Sequence, residues 1–599
     1  MICLSKAKIN SYEGDVLPLW LVGAEESTSP VEWDVIGDAV RIRTFADSER
    51  HAFSWGVLVT LVNVGTATVR CHHEGVTYTA EVEVRPMRTA APEDKLDYYF
   101  GDMHDHTSEN HNPVKFAEHE CGDITDYIDY QNNDARLDFA VISDHAGVTN
   151  DRDFFRGFVE CEKREPMNLI LFPGAESEIT YTERDRFDIL HRKSGEIVTF
   201  NSAGYGDTRS WEEFYQEMSY SPMATAIFAH PHVVGFSTNG IWHFDFRRRN
   251  NPFMLGLMRG IEMGNGADRK ENLLHEYAYS EALDAGFRLS TTCASDSHGP
   301  KWGYDIMPGK TVIIAYERSR EAFLDALRSN RFYATESGSV KLKYSVNGKV
   351  APADLAPTGQ YIFRVELSTF NNDENARPIE CRVVSDYGRT VATVDCRGKS
   401  VIEFTVESDT ARYFYLRLVD GEGRKTWSMP VWCSRPFDAP TTESIKPIDM
   451  SRCSATANGT SAPTVINGDP LDSWCADGAT ATVDIDMSEE RVISALGYHP
   501  HIILRDPTKG AAWTTSMESS GLVSRYSVSV SSDGESYTEV ASGVCQTLGA
   551  ENIIRFAPMR ARFVRFAALS NIGVDSGLAA YRDSRMKIAN LAIFEPQKM

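Results

Sequence analysis

Eleven of the sixteen histidines fall between His104 and His298, and most stand where an apolar run ends: GDMHDHT, AVISDHAG, IFAHPH and CASDSHG. Neutral imidazoles beside carboxylates at strand ends are the donor set that a cluster of divalent metals requires. In an HxH on a strand both side chains share one face, so His104 and His106 can grip one ion together. The same spacing recurs in His230-Pro-His232 and Asp296-Ser-His298. Glu176, in PGAESE after NLILF, has two carboxylate oxygens with which to bridge two cations. Along the chain the ligand types at strand ends are His104, His106, Asp144, His145, Glu176, His191, His230, His232, Asp296 and His298. Two bridged metals can hold a water between them, depress its pKa toward neutrality and polarise the bond under attack, which is hydrolysis. His111, His119, His243 and His275 lack that placement and read as structural, as do His72 and His73 within a strand-like run.

These residues need elements to hold them. From about 96 to 338, apolar strands (YYFGDM, DFAVISD, NLILFPG, IVTFN, TAIFAHP, RGIEMGN, RLSTTCASD, TVIIAYE) alternate with helical stretches such as ITDYIDYQNNDARL and ENLLHEYAYSEALDAG. Repeated βα units with nearly all-apolar strands predict a parallel sheet covered by helices, and seven or eight units predict a closed barrel. In such barrels the chemistry sits at the C-terminal strand ends, where the histidines are. Residues 1–95 alternate with period two and predict a small antiparallel β-sandwich, and 339–436 predict a second one. The Pro-, Ser- and Thr-rich stretch 437–462 reads as a linker. Residues 463–599 are all-β by pattern, with turn signals at NGDP and SSDGES.

A length of 599 residues exceeds one hydrophobic core and predicts three to five domains. The net charge of −24 excludes a nucleic-acid partner, which needs a basic face, while leaving room for a small anionic substrate. No segment approaches 18 uninterrupted apolar residues, so no membrane partner is expected. The N-terminal MICLSKAKINSYEGD has neither a basic start nor an apolar run, and eleven cysteines without CxxC spacing fit a reducing compartment. A cytoplasmic location is the resulting expectation. The chain has no Walker-type glycine loop and no GxSxG elbow.

The motifs FGDMHDHT, LDFAVISDH, PGAESE, IFAHP and ASDSH, in that order over about 96–338, resemble the PHP (polymerase and histidinol phosphatase) superfamily. The closer resemblance is to the branch whose barrel is flanked by β-sandwiches. It implies a distorted (β/α)7 barrel, two or three Zn, Mn or Fe ions, and phosphoester hydrolysis by a metal-bound hydroxide. It makes His104, His106 and Asp296 ligands of the first metal and Glu176 the bridge, with His145, His191, His230 and His298 completing the set. Glu176, Asp296 and His230 are then expected to act in the reaction. The stretch SENHNPVKFAEHECGD after the HxH is longer than the family's, and His111 or Asp123 can serve a third ion there. Asp102 and Asp144 are expected to orient histidines from behind. Phosphoryl oxygens call for Arg or Lys, and Arg184, Arg186, Arg192, Arg209, Arg269 and Lys301 lie in the loops. Lys301 and Arg192 are the candidates because their neighbours are pinned, whereas the arginine run at 247–249 reads as loop surface.

The segments VINGDPLDSW, VISALGYHP, RYSVSVSSDGESYTEVASG and FAPMRARFVRFAALS resemble the discoidin or coagulation factor 5/8 type C family, a jelly-roll β-sandwich that often binds carbohydrate. That resemblance implies a glycan partner and a structural calcium near Asp469 and Asp472. Trp474 reads as core and Trp513, in AAWTTS, as the sugar platform. Three functions remain: a phosphomonoesterase or phosphodiesterase acting on a small ester, sugar-linked in one version; a carbohydrate-directed metallohydrolase or lyase using the same cluster; and a non-enzymatic binding scaffold.

Overall fold

The computed structural model describes residues 2–47, 52–107, 123–147, 149–163, 169–184, 190–205, 210–231, 241–242, 244, 246, 251–266, 271–298, 302, 309–434, 444–469, 472–500, 521–545, 551–580 and 583–597. It is predominantly β. None of the described helices is long and apolar enough to cross a membrane.

The N-terminal region forms two four-stranded sheets around a core that includes Ile9, Leu19, Val57, Val59, Val69 and Val82. Alternation places these residues on the inward faces. One pairing departs from the antiparallel expectation, because Lys8–Tyr12 runs parallel to Val76–Arg85.

The central region is built on a mixed sheet. Asp97–Gly101, Phe139–Ile142 and the start of Ile170–Arg184 pair in parallel, as do Thr225–Ala229, Met258–Asn265 and Ser290–Ala294. Between the two sets, Ile170–Arg184 and Leu190–Phe200 form a long antiparallel hairpin, and Leu190–Phe200 is antiparallel to Thr225–Ala229. Lys310–Ala315 also runs antiparallel to Asp97–Gly101. The expected closed barrel of repeating parallel βα units is therefore corrected. No described helix separates Ile170–Arg184 from Leu190–Phe200. The hydrogen-bonded ladder does not close among the described residues. Instead the Thr311 hydroxyl lies against the backbone N–H and C=O of Cys293, at 3.1 and 2.9 Å, and the Thr291 hydroxyl accepts from the Ala334 N–H at 3.0 Å.

Helices cover this sheet where the sequence supplies caps. Asp123 caps Ile124–Asn133 by accepting from the Thr125 and Asp126 N–H groups, and the helix buries Ile124, Tyr127, Ile128 and Gln131, one stripe at helical spacing. The 339–436 region forms two sheets about a core that includes Leu342, Phe363 and Leu416, and one of the two is continuous with the central sheet. Lys425–Trp427 pairs with Phe332–Thr335, so the central sheet continues directly into Tyr413–Asp420 and Pro378–Ser385.

The C-terminal jelly roll surrounds Val483, Ile485, Val528, Val564, Phe566 and Leu591. Its sheet begins inside the expected linker. Ile445–Pro447 pairs with Asn590–Pro596, and Ser454–Ala457 pairs with Ala481–His499. Short Pro- and Thr-bearing strands at a sheet edge lack the apolar period that marks longer ones. The loop end of this module docks on the central region through Leu522 and Ile572, which pack with Leu274.

Candidate metal centre

His104 and His106 lie just beyond Asp97–Gly101, His145 beyond Phe139–Ile142, His230 beyond Thr225–Ala229, and Asp296 and His298 beyond Ser290–Ala294. Glu176 sits within Ile170–Arg184, and its neighbourhood leaves no room for a larger residue at Gly174, whose Cβ would collide with the Thr199 carbonyl. The strand ends converge on Glu176, which is fully buried. Its Oε1 lies 3.1 Å from His104 Nε2 and 3.0 Å from His230 Nε2. Its Oε2 lies 2.8 Å from His145 Nδ1 and 3.4 Å from His106 Nε2. The two oxygens thus face two different ligand groups, the arrangement a bridging carboxylate needs. Asp296 Oδ1 is 2.9 Å from His106 Nε2 and 3.5 Å from His104 Nε2, and the Nε2 atoms of His298 and His145 are 3.4 Å apart.

Four overlapping trios have all their donor atoms within 4.8 Å of one another: His106, His145 and His298; His104, Glu176 and His230; His104, His106 and Asp296; His145, Glu176 and Glu196. Ligands at about 2.0–2.1 Å from one tetrahedral ion stand roughly 3.3 Å apart, so these separations suit a shared cation. His104 Nε2 and Glu176 Oε2 are buried without a well-aligned hydrogen bond among the described residues. Close donors lacking hydrogen-bond alignment are what a metal cradle presents, and the mixed nitrogen and oxygen set fits Zn, Mn or Fe.

The electrostatics agree with one tightly knit cluster. Burial alone would raise the Glu176 carboxyl, but His104 and His145 hold it well below the usual range. Burial disfavours charge on His145, yet Glu176 outweighs it and lifts the imidazole to about 9. His104 and His230 are raised in the same way, against burial, by their carboxylates. Burial and the neighbouring His298 and His145 push His106 down. Backbone strain accompanies the site: His230 has φ 23° and Asp296 φ 48°, left-handed conformations that cost about 1–3 kcal/mol each.

Three residues that carry this geometry were not legible as candidates. Glu196 Oε2 lies 3.1 Å from His230 Nε2, and burial, then Glu176, push its carboxyl up to about 7. It takes the place expected for His191, whose backbone the ladder sets five residues further along the hairpin, opposite Glu183. Five residues of strand span about 17 Å. Glu262 meets His104 Nδ1 at 2.8 Å, accepts the His230 N–H at 2.7 Å and accepts from Asn265 Nδ2 at 2.8 Å. Trp302 donates from Nε1 to the His106 carbonyl at 2.5 Å. The alternation in GEIVTF and RGIEMGN marks strands without distinguishing these acids from ordinary strand residues.

The orienting roles expected of Asp102 and Asp144 are corrected. Asp102 accepts from the His104 and Ser295 backbone N–H groups, and Asp144 from the Thr107 N–H and hydroxyl, so both hold loop backbone while Glu262 holds a ring. Asp105 does related work, joining the HxH and DxH loops by accepting from Gln131 Nε2 and the Ser297 N–H. Asp123 caps the helix Ile124–Asn133 through Oδ1. His72 pairs with Asp34 on the surface of the N-terminal sheets, at 2.9 Å, and His73 and His275 are buried away from the cluster. His111, His119, His232, His243, Arg186, Arg209, Arg269, Lys301, Trp513 and residues 247–249 lie outside the described residues, as do the side chains of Arg184, His191 and Arg192. In the C-terminal module Trp474 is half-buried against the core, and Asn467 Nδ2 donates to Asp472 at 3.2 Å while the Asp469 N–H donates to Asn467 Oδ1 at 2.8 Å.

The F5/8 type C domain family matches residues 449–580, and this part of the chain is such a domain. CpGH89CBM32-5 from Clostridium perfringens, in complex with GalNAc-β-1,3-galactose, is similar at 18% identity and TM-score 0.19, covering 25% of this chain and 99% of that one. The family 32 carbohydrate-binding module of C. perfringens NanJ, in complex with galactose, is similar at 17% identity and TM-score 0.20, covering 25% and 100%. A putative chitobiase fragment from Bacteroides thetaiotaomicron is similar at 15% identity and TM-score 0.21, covering 27% and 99%. No curated protein matches the chain.

Proposed function

We propose that this chain is a metal-dependent hydrolase whose imidazole–carboxylate cluster holds two or three divalent ions and cleaves a phosphate mono- or diester. The observation that carries this reading is the placement of Glu176, one oxygen toward His104 and His230 and the other toward His145 and His106. The proposed ligands are His104, His106, His145, Glu176, Glu196, His230, Asp296 and His298. Bound there, the ions supply Lewis acidity and a water of lowered pKa. The order of the five motifs supports the PHP resemblance over 96–338.

The chain's own residues have separable tasks. Glu262 fixes the His104 ring by its Nδ1 side, leaving Nε2 directed at the cluster. Trp302 and Asp105 hold the loops carrying His106, Asp296 and His298. The side chains of His104, His106 and Glu176 are wholly buried, whereas those of His145 and His298 are each 22% exposed and that of Asp296 is 17% exposed. The substrate enters on the His145–His298 side. Lys301 is the proposed holder of phosphoryl oxygens.

A second reading keeps the cluster and changes the bond to a glycosidic one. It is favoured by the F5/8 type C domain at 449–580, for which we propose a glycan ligand, and by the docking of Leu522 and Ile572 on Leu274. Leu274 closes the short helix Glu271–Leu274, whose Asn272 side chain accepts from the backbone N–H of Asn265, a partner of Glu262. Elemental analysis of the purified chain, followed by p-nitrophenyl phosphate, bis-p-nitrophenyl phosphate and p-nitrophenyl glycosides with added Mn or Zn, tests both readings. Release from either phosphate is expected. Release from the glycosides alone would replace the first reading with the second, and metal-free, inert protein would leave a binding scaffold.

A further inference from the structure

At the end of the central sheet away from the metal centre, three arginines gather around one cavity of about 470 Å³: Arg259, Arg288 and Arg328. Arg259 opens the strand Met258–Asn265 and Arg288 precedes Ser290–Ala294, so both stand at the N-terminal ends of strands whose C-terminal ends lead to the cluster. Six residues of strand separate Arg259 from Asn265, about 20 Å. Asn330 locks two of the three together, its Nδ2 donating to the Arg259 carbonyl at 3.1 Å and to the Arg288 carbonyl at 2.9 Å.

Positive charge is concentrated here. Arg288 meets Asp354 at 2.8 Å and stacks 4.1 Å over the Trp432 ring. Arg259 and Arg328 make no salt bridge to a carboxylate among the described residues, though Glu13 and Asp325 act on Arg328 from further away. Each spends one Nη1 on backbone carbonyls, Arg259 on Leu255 and Met258 and Arg328 on Met223, while Arg259 Nε is buried with no hydrogen-bond partner. Three guanidinium groups thus share one cavity whose lining holds a single carboxylate, Asp354, already paired with Arg288. Burial, then Arg328 and Arg288, bring the Arg259 guanidinium down to about 10. Helix C-termini attract arginines, and that role accounts for the Leu255 contact. It does not account for three of them sharing a cavity.

We propose that Arg259, Arg288 and Arg328 form a binding site for a tetrahedral dianion, a phosphate or sulfate group free or carried on a small molecule, remote from the metal centre. Guanidinium forks match such oxyanions through paired N–H donors. The site stands independently of the proposed hydrolase activity.

The test is thermal unfolding of the full chain in sodium phosphate against sodium chloride at matched ionic strength. Phosphate is expected to raise Tm saturably by about 2–4 °C, and Arg259→Gln and Arg328→Gln are each expected to abolish the rise. Each substitution removes a like charge but also the Nη1 contacts to backbone carbonyls, so the response of each variant is read against its own Tm in chloride. Should either fail to fold, Arg288→Gln, at an exposed position, must reduce the response. Sulfate is expected to act as phosphate does. A stronger response to glucose 6-phosphate would identify an ester-borne group and an equal one a free oxyanion, both within the proposal. An equal rise in chloride, no rise in wild type, or an undiminished rise in the arginine variants would overturn it. The metal cluster is intact in all these variants, so phosphate bound there cannot imitate the loss.

Discussion

Glu262 Oε1 lies 2.8 Å from His104 Nδ1, on the side of the ring opposite Glu176, and its second oxygen accepts the His230 N–H at 2.7 Å. One buried carboxylate thereby fixes an imidazole from the first strand end and the backbone of another from the fifth. Replacing it as Glu262→Gln keeps the volume and weakens the charge-assisted contact. Metal affinity is expected to fall about 10–100-fold, read by competition with a chelating dye, while the fold persists by circular dichroism.

His104→Ala or Asp296→Ala is expected to remove bound metal and turnover together. Elemental analysis should show less than half the wild-type metal, and the β signal of the remaining domains should be unchanged. Full turnover in both variants would break the link between the cluster and activity.

Glu196 and His191 make a paired test of the corrected assignment. Glu196→Gln is expected to lower the metal-to-protein ratio by about one ion, since the carboxylate closes one trio with His145 and Glu176. His191→Ala is expected to leave that ratio intact.

Protons compete with metal at these donors. His145 is lifted to about 9, and His104 and His230 are raised too, so in the metal-free chain these imidazoles carry protons at neutral pH. A raised folded-state pKa contributes stability that is present below the unfolded value of about 6.5 and is lost as pH climbs through about 9. Metal-free protein is therefore expected to lose thermal stability from about pH 6.5 to 9, whereas metal-loaded protein keeps it. Loading at pH 7 should release protons, measurable by calorimetry in buffers of different ionisation enthalpy.

Leu274 is wholly buried with Leu522 and Ile572 where the C-terminal module meets the central region. Leu274→Ala is expected to cost about 2–4 kcal/mol at that contact, read as a lowered first unfolding transition and faster proteolysis between the two parts.

The histidine-bearing strand ends, the fully buried strands and the β pattern of the C-terminal module were all legible in the order of residues. A strand end followed by HxH or DxH needs only local period and chain reversal to place both donors, and His104, His106, His145, His230, Asp296 and His298 follow from that. The antiparallel hairpin of Ile170–Arg184 with Leu190–Phe200, and with it the exchange of His191 for Glu196, did not. Strand direction and register are settled by which distant backbone supplies the hydrogen bonds, and alternation reads the same either way. Glu262 and the three arginines at the far end belong to the same class. Each is an ordinary strand or loop residue until the sheet brings it against partners scores of positions away, where burial and Coulomb interactions set its role.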